Sequence, residues 1–396
     1  MLLSESPQRP EAAARPMVRR LKLSDFRSYA ALDLAVNSDL VVLCGENGAG
    51  KTNVLEALSL LTAGRGLRRA DLEELAREGG SGGFAISAEV DGAMGAVQLG
   101  TGVAAMGQEA KQETKQRRYR LDREPLPTAR AFADHLRVVW LTPAMDGLFT
   151  GSPGERRRFL DRLVLAVDAE HGARVNALER ALRNRNRLLE DGTRSGAWLD
   201  AAERETAEVA IAVAAARHET ISRLAALTEA GRSANALFPW AEIALSGAIE
   251  SLVAERSALE AEDAYMEILR ENRHRDAAAG RTLIGAHTSD LIVRHGPKDI
   301  EAARGSTGEQ KALLIGLVLA HARLVSSMCG ICPIVLLDEA AAHFDPQRRE
   351  ALFAELRTLG AQVWVTGADP GQFVDLNQPG VTADLLHVTP GRIDRA

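Results

Sequence analysis

The chain has 396 residues, 46% of them hydrophobic and 26% charged, ordinary values for a globular protein with room for two or three domains. No run of roughly 18 apolar residues stands out, which argues against a membrane span, and the Ala-, Pro- and Glu-rich start lacks the apolar stretch of a secretory signal. A formal net charge of −6 excludes a chain that is basic throughout, so any polyanion would have to meet a local basic surface.

Cys44, Cys329 and Cys332 are the three cysteines. They cannot build a disulfide framework and fit a reducing compartment, the cytoplasm. Cys329 and Cys332 form a single C-x-x-C pair beside an apolar run, which reads as burial; without a second pair it proposes no zinc site. The cations are 42 Arg and six Lys.

Residues 1–16 read as a disordered leader. Alternating and β-branched residues predict strands over 18–25 and 32–36, and 40–44 is a buried strand ending at glycine. Apolar residues at Val54, Leu55, Leu58 and Leu61 predict an amphipathic helix over 53–62. Antiparallel strands follow at 84–90, 96–100 and 118–122, with a polar hairpin-like stretch over 108–116, and 138–141 is another buried strand. At Gly151 the texture changes. Residues 155–274 are rich in Ala, Leu, Arg and Glu, with only Pro239 interrupting between Pro153 and Pro297. Sustained heptads are absent, and at about 1.5 Å per residue a hairpin of this segment reaches no further than roughly 90 Å. A compact helical lobe is expected rather than a coiled-coil arm. Strand-like text returns at 283–293, then a helix over 310–325, a strand over 334–337, a helix over 346–359 and a strand over 362–366.

Gly45-Glu46-Asn47-Gly48-Ala49-Gly50-Lys51-Thr52 matches the phosphate-binding loop G-x-x-x-x-G-K-[ST] and lies where that chemistry requires, between a buried strand and a helix. Glycines let successive backbone N–H groups and the helix N-terminus face an anion. Lys51 supplies a point charge for the β and γ phosphates of ATP, and the Thr52 hydroxyl is a ligand for Mg²⁺. Ile334 to Leu337 then deliver two acids. Asp338 would hold the Mg²⁺ shell, and Glu339 would polarise the attacking water. Adjacent carboxylates at a strand end call for a cation. Pro346 suits the first turn of a helix. Ser306-Thr307-Gly308-Glu309-Gln310 precedes a further helix, so Ser306 and Gly308 sit at a second anion-binding N-terminus.

These residues resemble the ABC-type ATPases, with S-T-G-E-Q standing where that superfamily has its signature S-G-G-Q. Within them the chain is similar to the RecF family of bacterial DNA replication and repair proteins, kin of the SMC ATPases. The resemblance rests on Leu23-Ser24-Asp25-Phe26-Arg27-Ser28-Tyr29, on the phosphate loop with Glu56-Ala57-Leu58 and Thr62-Ala63-Gly64-Arg65, and on Gly151-Ser152-Pro153 with Arg157-Arg158-Phe159-Leu160-Asp161. It continues in Ser306 to Leu313 and Leu337 to Asp345. It implies an α/β fold: an ABC-type ATPase head with a mixed sheet and an antiparallel β-subdomain, built from 17–150 and 280–396, plus a helical second lobe over 151–279. It implies also that two chains dimerise head to tail on ATP, with Ser306, Gly308 and Gln310 closing on the other chain's nucleotide and Asp345 crossing the interface. Hydrolysis would be weak and DNA-stimulated. The implied partners are double-stranded DNA near single-strand junctions, RecR and RecO.

The chain departs from the family pattern at Gly285-Ala286-His287-Thr288-Ser289-Asp290, where Thr288 replaces a customary Arg, and at Ala144, where a Glu is usual. No residue marks a clear Q-loop or switch histidine. Arg156, Arg157, Arg158 and Arg162, then Arg180, Arg183, Arg185 and Arg187, make the insert locally basic. Arg180, Arg183 and Arg187 share one helical face, which suits either phosphate contact or plain solvation. Two other functions fit a phosphate loop: a transporter's nucleotide-binding subunit and an SMC-like tether. The spacing of 282 positions from Thr52 to Ile334 disfavours the first, and the missing heptads disfavour the second.

Overall fold

The computed structural model describes residues 13–92, 94–105, 116–191, 196–232, 238–340, 344–369, 371, 373 and 382–395. Strands β1 (Met17–Phe26), β2 (Tyr29–Ala35) and β3 (Leu40–Cys44) lead into helix α1 (Lys51–Ser59) and the short α2 (Leu72–Leu75). Then come β4 (Phe84–Gly92), β5 (Gly95–Val103), β6 (Arg118–Leu121), β7 (Glu124–Leu126) and β8 (Val138–Leu141). The middle of the chain forms α3 (Pro153–Val167), α4 (His171–Glu190), α5 (Gly196–Ala230), β9 (Ala241–Ser246), α6 (Ala248–Glu255), α7 (Ala258–Glu271), α8 (Arg273–Ala279), β10 (Asp290–His295) and β11 (Ile300–Glu301). It closes with α9 (Thr307–Cys329), β12 (Ile334–Leu337), α10 (Pro346–Leu359), β13 (Val363–Gly367), β14 (Ala383–Thr389) and β15 (Arg392–Arg395).

The chain divides into two compact units, one of residues 1–141 with 322–396 and one of residues 142–321, so the division falls inside α9. The first unit carries two six-stranded sheets. One is antiparallel in the order β2-β1-β4-β5-β6-β7, and the other is mixed in the order β15-β14-β3-β13-β12-β8, with β15 the antiparallel member. Every residue of β8, β12 and β13 is buried, the near-continuous apolar burial of parallel strands covered on both faces. Gln362 joins the two sheets. Its Oε1 accepts from Val18 N at 2.9 Å and Trp364 Nε1 at 3.1 Å, and its Nε2 donates to Val18 O and Ser38 O at 3.1 and 3.3 Å.

In the second unit α4, α5, α6 and α7 pack around Leu178, Leu182, Ala210, Ile211, Ala214, Ile249, Tyr265 and Leu269. The unit is wider than the expected helical stretch and is not all helix. β9, read from sequence as helix, pairs with β10 over residues 241–246, and β11 completes a three-stranded antiparallel sheet. That pairing draws the chain as far as β11 into the unit.

Two expectations change, and a third falls outside the described residues. Residues 13–16 of the supposed disordered leader are ordered, because Ala14 N donates to Gly330 O and Cys332 N to Ala14 O at 2.8 and 2.7 Å; residues 1–12 lie outside the described residues. The hairpin-like stretch 108–116 lies outside them too, apart from Gln116. Finally, α9 is long and apolar enough to cross a membrane by length and composition, contrary to the first reading, but its most apolar window is 67% buried within the protein, the mark of a core helix.

His321 of α9 is 2% exposed, and its Nε2 donates to Leu163 O at 2.9 Å. Burial pushes its pKa from 6.5 down to about 4. The unfolded chain therefore binds the extra proton first, and stability should be lost as pH falls from about 6.5 to about 4, by roughly 3 kcal/mol for this depression. Urea unfolding of His321→Gln should lack that part of the pH dependence; equal slopes in variant and parent would refute the assignment.

Candidate nucleotide site

The buried run Val41 to Cys44 carries the chain to Gly45 at the C-terminal edge of the mixed sheet, the edge at which α/β sheets bind ligands. A Cβ on Gly45 would lie 2.2 Å from Val388 O of β14, so no larger residue fits. Gly50, the N-cap of α1, has φ +111°, and a Cβ there would also press on Ser28 Oγ and Tyr29 Oη at 2.8 and 2.9 Å. Glu46, Asn47 and Gly48 form the exposed crest of the loop, and Ala49 is buried beneath it.

Lys51 is 4% exposed, and its Nζ donates to Gly45 O and Glu46 O at 2.6 and 2.8 Å. The ammonium therefore lies within the curl of the loop, where a phosphate chain would meet it. The Thr52 hydroxyl lies 2.9 and 3.1 Å from Asp338 Oδ1 and Oδ2. Thr366 Oγ1, at the end of β13, donates to Asp338 Oδ1 at 2.8 Å and accepts from Glu339 N at 2.9 Å. Burial, with a further push from Glu339, raises the Asp338 pKa against the opposing bonds from Thr366 and Thr52. Such a carboxylate gains most from a cation. Thr52 and Asp338 fit Mg²⁺: both offer hard oxygen, they already touch, and a phosphate-bound Mg²⁺ typically takes only one or two protein ligands. Accordingly, no group of three acidic, His or Cys side chains suited to a metal occurs among the described residues.

Glu339 is half-buried with φ +50°. A left-handed non-glycine residue costs about 1–3 kcal/mol and clusters at functional sites. Here it lies at the turn that follows β12, where the Glu339 N–H meets Thr366 Oγ1.

Behind the loop, Tyr29 Oη donates to Gly50 O at 3.2 Å and Asn53 Nδ2 to Ser28 Oγ at 2.9 Å. Glu56, 1% exposed, accepts two bonds from Arg27 at 2.8 and 2.7 Å and one from Arg68 at 2.7 Å. Sequence reading assigned no role to Thr366, Arg27 or Arg68. For Thr366 the available signal was a hydroxyl ending an otherwise apolar strand.

Ser306, Gly308 and Gln310 belong to the second unit. Ser306 is exposed and forms a capping box with Glu309: Ser306 N donates to Glu309 Oε2 at 2.9 Å, and Glu309 N to Ser306 Oγ at 3.4 Å. Lys298 pairs with Glu309 and, with the Ser306 N–H, pulls its pKa down to about 2. Gln310 is turned inward, not toward an anion at the helix end. It is 8% exposed, and its Nε2 donates to Gly305 O and Ala303 O at 2.8 and 3.3 Å, bracing the loop that presents Ser306. Asp345, in the first unit, N-caps α10 by accepting from Arg348 N at 2.9 Å.

The arginines separate into two groups. Arg156 grips Asp290 with two bonds at 2.8 and 2.7 Å, Arg157 donates to Ser289 O at 2.8 Å, and Arg162 lies 4.9 Å over the Phe159 ring. Asp161 takes two bonds from Arg217, which also reaches Ala286 O and Ser289 Oγ. The segments 151–161 and 285–290 thus build the second unit. Arg185 is fully buried. Arg158, Arg180, Arg183 and Arg187 remain exposed, with Arg183 3.8 Å from Glu179.

Residues 17–383 match the family described as RecF/RecN/SMC N terminal domain. The chain is 52% identical over 375 residues to the DNA replication and repair protein RecF of Agrobacterium fabrum, covering 94% of this chain and 97% of that one. It is 52% identical over 374 residues to the RecF of Rhizobium meliloti, with the same coverage. Among solved structures it is similar to the recombination mediator protein RecF-ATPrS of the RecFOR pathway, at 18% identity and TM-score 0.81 over 97% of this chain and 99% of that one. It is also similar to an Smc head domain from Pyrococcus furiosus, at 15% identity and TM-score 0.50 over 96% of each. With relatives at this identity over nearly its whole length and the antiparallel and mixed sheets of an ATPase head, the chain belongs to the RecF family of DNA replication and repair proteins.

Proposed function

We propose that this protein is an ATP-gated clamp on double-stranded DNA that works in the cytoplasm at gaps and single-strand junctions, together with RecO and RecR. The observation that carries the reading is the hydrogen-bonded line from Thr52 through Asp338 to Thr366 and Glu339 N, which joins the phosphate loop to the acid-bearing end of β12. Mg²⁺ held by Thr52 and Asp338 would neutralise phosphate charge. Lys51 and the α1 N-terminus hold the triphosphate, and Glu339 orients the attacking water. Ser306 and Gly308 of one chain, at an exposed helix N-terminus, meet the nucleotide of a second chain, with Asp345 at the same interface. Hydrolysis, slow and hastened by DNA, reopens the pair.

In sedimentation with ATP and duplex DNA, Glu339→Gln should run as a DNA-bound dimer, and Lys51→Ala should stay monomeric under the same conditions. Monomers from both variants would sink the reading.

A further inference from the structure

The phosphate loop occupies the N-terminal end of α1, and the other end of that helix carries the negative pole of its dipole. Arg117 sits at that other end. Its Nη2 donates to the carbonyl of Leu60, the C-cap residue of α1, its Nη1 to Gly64 O at 2.8 Å, and its Nε to Thr101 Oγ1 of β5 at 2.9 Å. The guanidinium lies 5.0 Å over the Tyr119 ring of β6, and desolvation presses its pKa down against an opposing push from Tyr119. Among the described residues this half-buried cation meets carbonyls, a hydroxyl and an aromatic face, and the negative end of the helix dipole favours a positive charge there.

Arg117 therefore ties the antiparallel sheet to the back of the phosphate-binding helix. It also pins the start of the segment that follows α1. That segment turns through Gly64 and Gly66, at φ +100° and +70°, and is tacked down by Leu67 N on Ser59 Oγ at 2.9 Å. It then returns Arg68 to Asn53 Oδ1 and Glu56 Oε2, each at 2.7 Å. From there the charge of Arg68 is felt at Asp338.

We infer that Arg117 is a positioning residue for ATP hydrolysis: it fixes the C-terminal end of α1 and the 60–68 segment, so that Lys51, Thr52 and Arg68 keep their places around the terminal phosphate. The inference rests on the ATP reading of the phosphate loop. Its chemistry is positional only, with no bond made or broken by Arg117. A misplacement of about 1 Å at a reacting centre can cost up to about 100-fold, whereas the affinity for ATP, spread over the loop N–H groups, is far less sensitive.

The test uses the full chain with Mg²⁺-ATP and compares Arg117→Met, which fills the space without donors, with Arg117→Lys, which keeps the charge at the helix end. Single-turnover hydrolysis, binding of a fluorescent ATP analogue and the urea midpoint are measured on each. Arg117→Met should hydrolyse about tenfold more slowly with affinity changed less than about threefold, and Arg117→Lys should recover part of the rate. A milder variant, Thr101→Val, removes the Nε acceptor together with the hydroxyl's own bond to Arg118 O at 3.1 Å, and should slow hydrolysis about two- to threefold if Arg117→Met does not fold. An unchanged rate in Arg117→Met or, where that variant does not fold, in Thr101→Val overturns the inference. So does a fall in rate matched by equal falls in affinity and urea midpoint, with Lys no better than Met. A parent protein that binds the analogue but hydrolyses nothing would overturn the ATPase reading and this inference with it.

Discussion

Glu339→Gln is expected to slow ATP hydrolysis by about 10²–10⁴-fold, the range ascribed to a positioned general base, while Mg²⁺-ATP affinity stays within a few-fold of the parent. The amide keeps the size of the carboxyl and leaves the left-handed backbone at φ +50° and the bond from residue 339 N to Thr366 Oγ1 as they are. What it removes, on the proposed mechanism, is the acceptor that would draw a proton from water. It also removes the negative charge that helps raise the Asp338 pKa, so Asp338 should ionise at lower pH in the variant and its hold on Mg²⁺ should not weaken. Phosphate release in a single turnover measures the first effect, and a Mg²⁺ titration of nucleotide binding at pH 5 and 7 measures the second. Hydrolysis at the parent rate would mean that the base lies elsewhere.

Arg185→Ala is expected to destabilise the protein by about 3–5 kcal/mol, the usual consequence of removing one partner of a buried ion pair. Arg185 donates to Glu203, Asp276, Thr282 Oγ1 and Leu269 O at 3.2, 2.8, 2.8 and 2.7 Å. Glu203 keeps Arg273 as a partner, but the Asp276 carboxylate, 1% exposed, keeps among the described residues only its bond from the Leu283 N–H. Arg183→Ala, two residues earlier and exposed, should stay within about 0.5 kcal/mol. Urea unfolding of the two variants separates the roles, and comparable losses would show that α4 does not divide its arginines as the packing indicates.

That division was partly legible in the sequence, because a spacing of two residues turns a helix through about 200° and puts Arg185 opposite Arg183. What the sequence does not carry is the identity of the buried partners, since Glu203 and Asp276 are 18 and 91 residues away. The same limit explains the strands. β12 could be read because Ile334 to Leu337 are all apolar and end at two acids. β9, with the sequence AEIALS, has helix-forming residues and becomes a strand only through β10, some fifty residues on. The placement of the phosphate loop between β3 and α1 was legible because it is set by residues adjacent in the chain. The burial of Gln310 was not legible because it depends on the loop carbonyls at 303 and 305. Helix α1 spans Lys51–Ser59 where 53–62 was expected: apolar spacing continues past Leu60, but the backbone there turns to meet Arg117.

The Gln362 amide has every conventional donor and acceptor engaged, across two sheets at once. A slip of β1 by a single residue would break both bonds to Val18 together, so the side chain acts as a detent that permits one alignment only. The β1–β2 turn, whose Arg27 and Ser28 reach Glu56 and Asn53, is thereby indexed to the strand beside the phosphate loop.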